Sequence, residues 1–196
     1  MDRMLLRMFQ EQVLLQCKFM LLSAHELNAA LVTPDTTRTF YAIQGLLSAA
    51  ASVSKALWGE GGRRADERQP LRDSIGVSDN SPLREVTMRN NFEHFDSRLS
   101  EWWEKSERHN YLDLSIMARS MVSGLDDQDM FRTFDPMTTD LVFWSQSFNI
   151  QALVQEVVKI LPKLEQEARK PHWEQPEEES GLTPTPPPPP PAPPSP

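Results

Sequence analysis

The chain is expected to fold as a mainly α protein, an antiparallel helical bundle with a short β-hairpin and a disordered proline-rich C-terminal tail. Three observations predict this. Apolar residues recur at spacings of three and four over long stretches before Lys170. Two short apolar runs flank Asp135-Pro136 and read as strands. The periodicity then stops, and the chain becomes acidic and finally proline-rich, with an unbroken run from Pro186 to Pro191.

The first helix is expected over residues 3–32. Its apolar positions are Leu5, Phe9, Val13, Cys17, Met20, Ala24, Leu27 and Leu31, and Pro34 ends it. The density of apolar residues from Leu14 to Leu22 implies contact with more than one neighbour. A second helix runs to Trp58, with Thr36 or Thr37 as N-cap and Phe40, Ile43, Leu47, Ala50, Ser54 and Leu57 facing inward. Gly, Ala and Ser between Gly45 and Ala56 allow another helix backbone to come close, and Gly59, Gly61 and Gly62 stop the helix. Glu60 to Gln69 reads as a mobile loop, followed by one short helical turn within Leu71 to Val77. Ser81 and Pro82 carry the start signals of a third helix. Met88, Phe92, Phe95, Leu99, Trp102 and Trp103 fall within about 100° on its wheel and form a core stripe. A hairpin spans about 130–144, and a last helix begins at Asn149 with Leu153, Val157, Ile160 and Leu164 inward and a kink at Pro162. Residues 1–170 thus read as one domain and 171–196 as a tail.

Composition narrows the function. The formal net charge is −8 over 196 residues. The tail holds four Glu and no Lys or Arg, so the body carries the remaining −4. A charge balance of that kind excludes a broad nucleic-acid-coating surface and leaves room only for a small, locally positive site. The one cysteine, Cys17, reads as a buried apolar residue, and no disulfide or paired-Cys zinc site can be built. The histidines are scattered, so no metal and no cofactor is expected. The N-terminal stretch is interrupted by Gln10, Glu11, Gln12, Gln16 and Lys18, which suits neither a signal peptide nor a membrane span, and a cytoplasmic location is expected.

The candidate chemistry lies in Met88-Arg89-Asn90-Asn91-Phe92-Glu93-His94. An arginine that neutralises phosphate charge and a histidine that moves protons are sufficient for metal-free RNA cleavage. Arg followed directly by Asn and then by His at this spacing is expected about 0.03 times by chance in a chain of this composition. On a straight helix Arg89 and His94 stand about 140° apart, so they would meet only through a distortion, a swing of the long Arg side chain, or a second copy. Glu93, Asp96 and Arg98 border the same polar face as second-rank candidates, and ordinary solvated helix charges are the plainer account of them.

The pattern Arg89-Asn90-x-x-x-His94 resembles the signature of the HEPN superfamily of helical bundles, many of which are metal-independent ribonucleases of bacterial toxin–antitoxin and antiviral systems. The resemblance covers the motif and, loosely, residues 3–106 with the final helix; the hairpin would be an addition. It implies an endoribonuclease acting on RNA and not DNA, with His94 as general base or acid, Arg89 opposite the charged phosphate and Asn90 orienting either. It also implies a homodimer with facing motifs, and an antitoxin protein as partner. Asp96 stands where one sub-class has a tyrosine that is modified by a partner enzyme, so that control does not carry over. Other members of the superfamily are catalytically silent, and the alternative reading is a non-catalytic interaction module using the aromatic stripe or the proline tail.

Overall fold

The structure, a computed structural model, describes residues 1–171; the stretch expected to be a disordered tail lies outside the described residues except for Pro171. Mainly α is the observed class. Among the described residues there are seven α-helices and one four-stranded sheet.

Helix α1 (Arg3–Val32) starts where Asp2 accepts hydrogen bonds from the N–H groups of Met4 and Leu5, at 2.9 and 3.2 Å. Helix α2 (Thr36–Trp58) is capped by Asp35, whose carboxylate accepts from Arg38 N at 2.9 Å. The cap is therefore neither Thr36 nor Thr37, which both lie inside the first turn. A carboxylate satisfies free N–H groups and meets the positive end of the helix dipole at once. The three-residue link makes α1 and α2 an antiparallel hairpin. Their facing residues, Val13, Cys17 and Met20 against Phe40, Ile43, Leu47, Ala50 and Leu57, are all buried in one core.

The stretch expected as a mobile loop is instead helical: α3 (Gly62–Glu67) leads into α4 (Gln69–Ile75). The reason is Arg72. Only 3% exposed, it donates to the carbonyls of Leu57 and Ala65 at 2.7 and 2.8 Å and lies 3.1 Å from Asp79. One guanidinium thus supplies donors to carbonyls at the ends of both α2 and α3, where helix carbonyls run short of partners.

The third expected helix is also different. Ser81 caps only a 3-10 turn, Pro82–Arg84. Two helices follow, α5 (Thr87–Glu93) and α6 (Phe95–Lys105), separated by His94 with φ −102° and ψ 33°. His94 N still donates to Asn90 O at 2.9 Å, and Arg98 N donates to His94 O at 3.0 Å, so the junction is a one-residue kink. Met88 and Trp102 of the expected stripe are buried and Phe92, Phe95 and Leu99 pack at the core's edge, but Trp103 is 63% exposed.

The hairpin is present as β2 (Thr133–Asp135) and β3 (Asp140–Phe143), antiparallel, with Asp135 accepting from Met137 N at 2.8 Å to close the turn. It sits within a larger sheet of order β1-β2-β3-β4. β1 (Ser115–Ile116) pairs in parallel with β2, and β4 (Gln146–Asn149) pairs antiparallel with β3. Helix α7 (Ile150–Ala168) follows directly, capped by Asn149, whose side chain accepts from Ala152 N at 2.8 Å. Its four expected core residues, Leu153, Val157, Ile160 and Leu164, are buried, and Pro162 lies within the helix. Arg7, near the start of α1, donates to the Glu167 carboxylate at 3.1 Å near the end of α7, so these two helices also run antiparallel.

Helices α5 and α6 reach the sheet through aromatic packing. Phe131 is fully buried, with the rings of Tyr111, Phe143, Phe95 and Trp102 at 5.1, 5.3, 5.7 and 5.8 Å from its own. Phe131→Ala removes the hub of this cluster and is expected to cost about 3–5 kcal/mol. Val158→Ala, on the exposed side of α7, should stay within about 0.5 kcal/mol of wild type. Urea denaturation followed by far-UV circular dichroism measures both.

Candidate functional site

Arg89 lies in the middle of α5, with its side chain 14% exposed and its Nη1 bonded to the carboxylate of Glu93, one turn on. Glu93 is thereby the counter-charge of Arg89. Asn90 is half-buried and His94 is exposed at the kink. Among the described residues no hydrogen bond joins the His94 ring to Arg89 or Asn90. The kink makes the straight-helix offset of 140° inapplicable. Asp96 is exposed on the first turn of α6, and Arg98 bonds to Glu101 at 3.2 Å. Among the described residues no cluster of three or more His, Cys, Asp or Glu side chains could hold a metal ion.

The neighbouring amide has the structural role. Asn91, 2% exposed, donates to Gln146 Oε1 at 2.8 Å and accepts from Arg98 Nε at 3.2 Å. It ties α5 to α6 and to β4. Two adjacent asparagines on a helix point about 100° apart, and the sequence alone did not show which one turned inward.

A concavity lies elsewhere, at the end of α6. It is a cleft of about 740 Å³ whose walls include Leu99, Trp102, Trp103, His109 and Tyr111. Its frame is polar and buried. Asp129, fully buried, accepts from Trp102 Nε1 at 2.9 Å and from Ser106 Oγ at 2.8 Å. Ser106 Oγ in turn accepts from His109 N at 3.0 Å. His109 adopts φ +51°, which is uncommon for a non-glycine residue. Its ring lies 4.2 Å from that of Trp103, and its Nε2 is 3.0 Å from the Trp103 carbonyl oxygen. The opposite wall is Tyr111, whose hydroxyl donates to Asp113 Oδ2 at 3.0 Å. Asp113 also takes the guanidinium of Arg132, with Nε at 2.9 Å, and that guanidinium lies over the Phe95 ring at 4.2 Å. The cleft therefore has aromatic walls, with Trp103 63% and Tyr111 45% exposed.

Electrostatics follow from this packing. Burial would raise the Asp113 carboxyl, but the hydrogen bonds and charge of Arg132, with the Tyr111 hydroxyl, more than offset it and hold it below the usual carboxylate range. Burial, with the adjacent Asp113 charge, pushes the Tyr111 phenol up to about 12. The sequence pointed to part of this cleft through Trp102 and Trp103 on the aromatic stripe. It gave no sign of the folded-back His109-to-Tyr111 segment, which depends on a buried carboxylate 18 residues beyond Tyr111.

No protein-family model, curated protein or solved structure matches this chain. The reading of its function rests on its own residues. No helix among the described residues is long and apolar enough to cross a membrane.

Tyr111 offers a direct test of the cleft's construction. In a Tyr41→Phe chain it is the one remaining tyrosine. Tyrosinate absorbance should then titrate near 12, well above the ordinary value near 10. Because the folded value is raised, the associated stability is complete below about pH 10 and is lost as pH rises through the folded value. Asp113→Asn should lower the midpoint by removing the adjacent negative charge. A midpoint near 10 in the parent chain would contradict the described wall.

Proposed function

We propose that this chain is a non-catalytic interaction module whose aromatic cleft at the end of α6 binds an extended proline-rich segment. The observation that carries the reading is the cleft itself, with exposed Trp103 stacked against the His109 ring and exposed Tyr111 hydrogen-bonded to Asp113, beside Trp102 anchored on Asp129. Aromatic-lined grooves take polyproline II segments because proline rings pack between aromatic faces and the ligand is already extended, so little entropy is lost. The occupant to which the reading commits is the chain's own run from Pro186 to Pro191. The 15 peptide links from Pro171 to Pro186 can span about 50 Å, more than the roughly 40 Å diameter of a domain of this size. Arg89, meanwhile, is matched by Glu93 within its own helix. The expected setting is cytoplasmic.

The test uses the full chain with the six prolines from Pro186 to Pro191 changed to serine. Its Trp103 indole resonance should shift from the wild-type position, and a synthetic peptide of residues 181–196 should shift it back. Trp103→Ala should abolish peptide binding. Identical indole spectra with and without the prolines, and no response to millimolar peptide, would refute the reading.

A second reading is favoured by the kink at His94, which leaves the imidazole exposed and without a hydrogen bond among the described residues. In it, Arg89, Asn90 and His94 from two copies face one another and cleave RNA without metal, as in the toxin–antitoxin and antiviral proteins that the motif resembles. The ribose 2′-OH gives up its proton and attacks the phosphate as the bond to the 5′-oxygen breaks and that oxygen is protonated, so products end in a 2′,3′-cyclic phosphate and a 5′-OH, and DNA survives. His94→Ala and Arg89→Ala should each lower the cleavage rate at least about a hundredfold in the presence of a chelator. Intact RNA after incubation with wild-type protein would remove this reading.

A further inference from the structure

Helix α1 has a second apolar face that the described residues leave uncovered. Its buried face, with Val13, Cys17 and Met20, points into the core. On another side Leu5, Met8, Leu15, Phe19 and Leu22 are all exposed, Leu22 by 66%. These are not scattered. With Gln12 they fall at 5, 8, 12, 15, 19 and 22, the alternating three-and-four spacing of a coiled-coil seam. Leu5, Gln12 and Phe19 are the a positions, and Met8, Leu15 and Leu22 are the d positions. A helix that served only its own core would carry polar residues there. The same stripe borders an open groove against α2, walled by Phe19 and Leu22 on one side and by Gly45, Ser48 and Ser52 on the other. Gly45 marks the close approach of the two helices: a Cβ there would lie 3.0 Å from Ser23 Oγ.

We infer that this face is covered by α1 of a second copy, packed antiparallel about a two-fold axis between residues 13 and 14. The flanking charges specify the occupant. In an antiparallel pair the layers are Leu5 with Leu22 of the second copy, Met8 with its Phe19, and Gln12 with its Leu15, each occurring twice by symmetry. That register sets Glu11 beside Lys18 of the second copy, and Lys18 beside its Glu11. Both lie at the g positions that face each other in antiparallel coiled coils, and both are exposed. A parallel pair would instead set Glu11 near Gln16 and lose both ion pairs. Gln12, a polar residue on an otherwise apolar seam, fixes register at some cost in stability. The seam from Leu5 to Leu22 is about 26 Å long. It belongs to α1, whereas the Arg89–His94 segment belongs to α5, so this inference is independent of both readings above.

The test is sedimentation equilibrium of the full chain at about 5–100 µM. Wild type is expected to sediment as a dimer. Leu15→Glu with Leu22→Glu should give a monomer with unchanged helicity by circular dichroism, since neither side chain is in the core. Lys18→Glu alone sets Glu against Glu twice and should weaken the dimer about tenfold. Adding Glu11→Lys should restore it to within about threefold of wild type. A wild-type monomer across the whole range overturns the inference. So does a dimer that the two Leu→Glu changes leave intact, or a Lys18→Glu defect that Glu11→Lys does not repair.

Discussion

The α6 side of the molecule depends on the buried carboxylate of Asp129. An anion withdrawn from water must be given donors, or the cost of burying it exceeds what nearby packing returns. Here the donors are Trp102 and Ser106, both at the end of α6. Both bonds go to Oδ1, while Oδ2 is buried without a partner among the described residues, so this one oxygen fixes where α6 stops and how Trp102 is oriented. The main-chain carbonyl of Asp129 accepts from Leu112 N at 3.0 Å, which draws the segment before β1 alongside the segment before β2. Tyr111, between these anchored points, has little choice but to form the cleft wall. One charge thus couples a helix end, a loop and a strand pair.

A different device organises the rest. Arg7 and Gln10 on α1, Ser74 on α4 and Glu167 on α7 form a chain of hydrogen bonds across three helices: Gln10 Nε2 donates to Ser74 Oγ at 2.8 Å, and Arg7 reaches both Gln10 and Glu167. Apolar stripes can slide along one another by a turn at modest cost, whereas a polar pair left unmatched in the interior cannot. These contacts select one axial register for α1 against α7. Cys17, two turns further along α1, is shielded by the same core, and burial pushes its thiol up to about 12, which keeps it unreactive at neutral pH.

How much of this was legible in the sequence varied with the length of the signal. The bounds of α1, the core faces of α2 and α7 and the β2–β3 hairpin follow from periodicity sustained over many residues or from the Asp135-Pro136 turn. Elements held by single distant contacts did not. The segment expected as a loop at 60–69 is helical because Arg72 supplies donors to it, and nothing local announces that. Strand β1 has two residues and exists through pairing with residues some eighteen positions away. β4 was hidden because Gln146 and Ser147 are solvent-facing and carry no apolar alternation. In the candidate segment, the motif spelled out residue types but not directions. Arg89 turned to Glu93, Asn91 and not Asn90 turned inward, and Trp103 left the core stripe for the cleft rim.

The parallel pairing of β1 with β2 has a consequence for the order of assembly. The α1–α2 hairpin closes a link of only three residues, so its contacts are local and form early. The β1–β2 pair must first close a loop of 16 residues, from Gly-containing chain with only two 3-10 turns in it. Of the cleft walls, Trp102 and Trp103 stand on α6, and Tyr111 stands on the segment that leads into β1. In the folded protein the β1–β2 loop is expected to open at lower cost than the paired long helices, so its amide hydrogens should exchange with solvent first, while the α1, α2 and α7 scaffold stays closed.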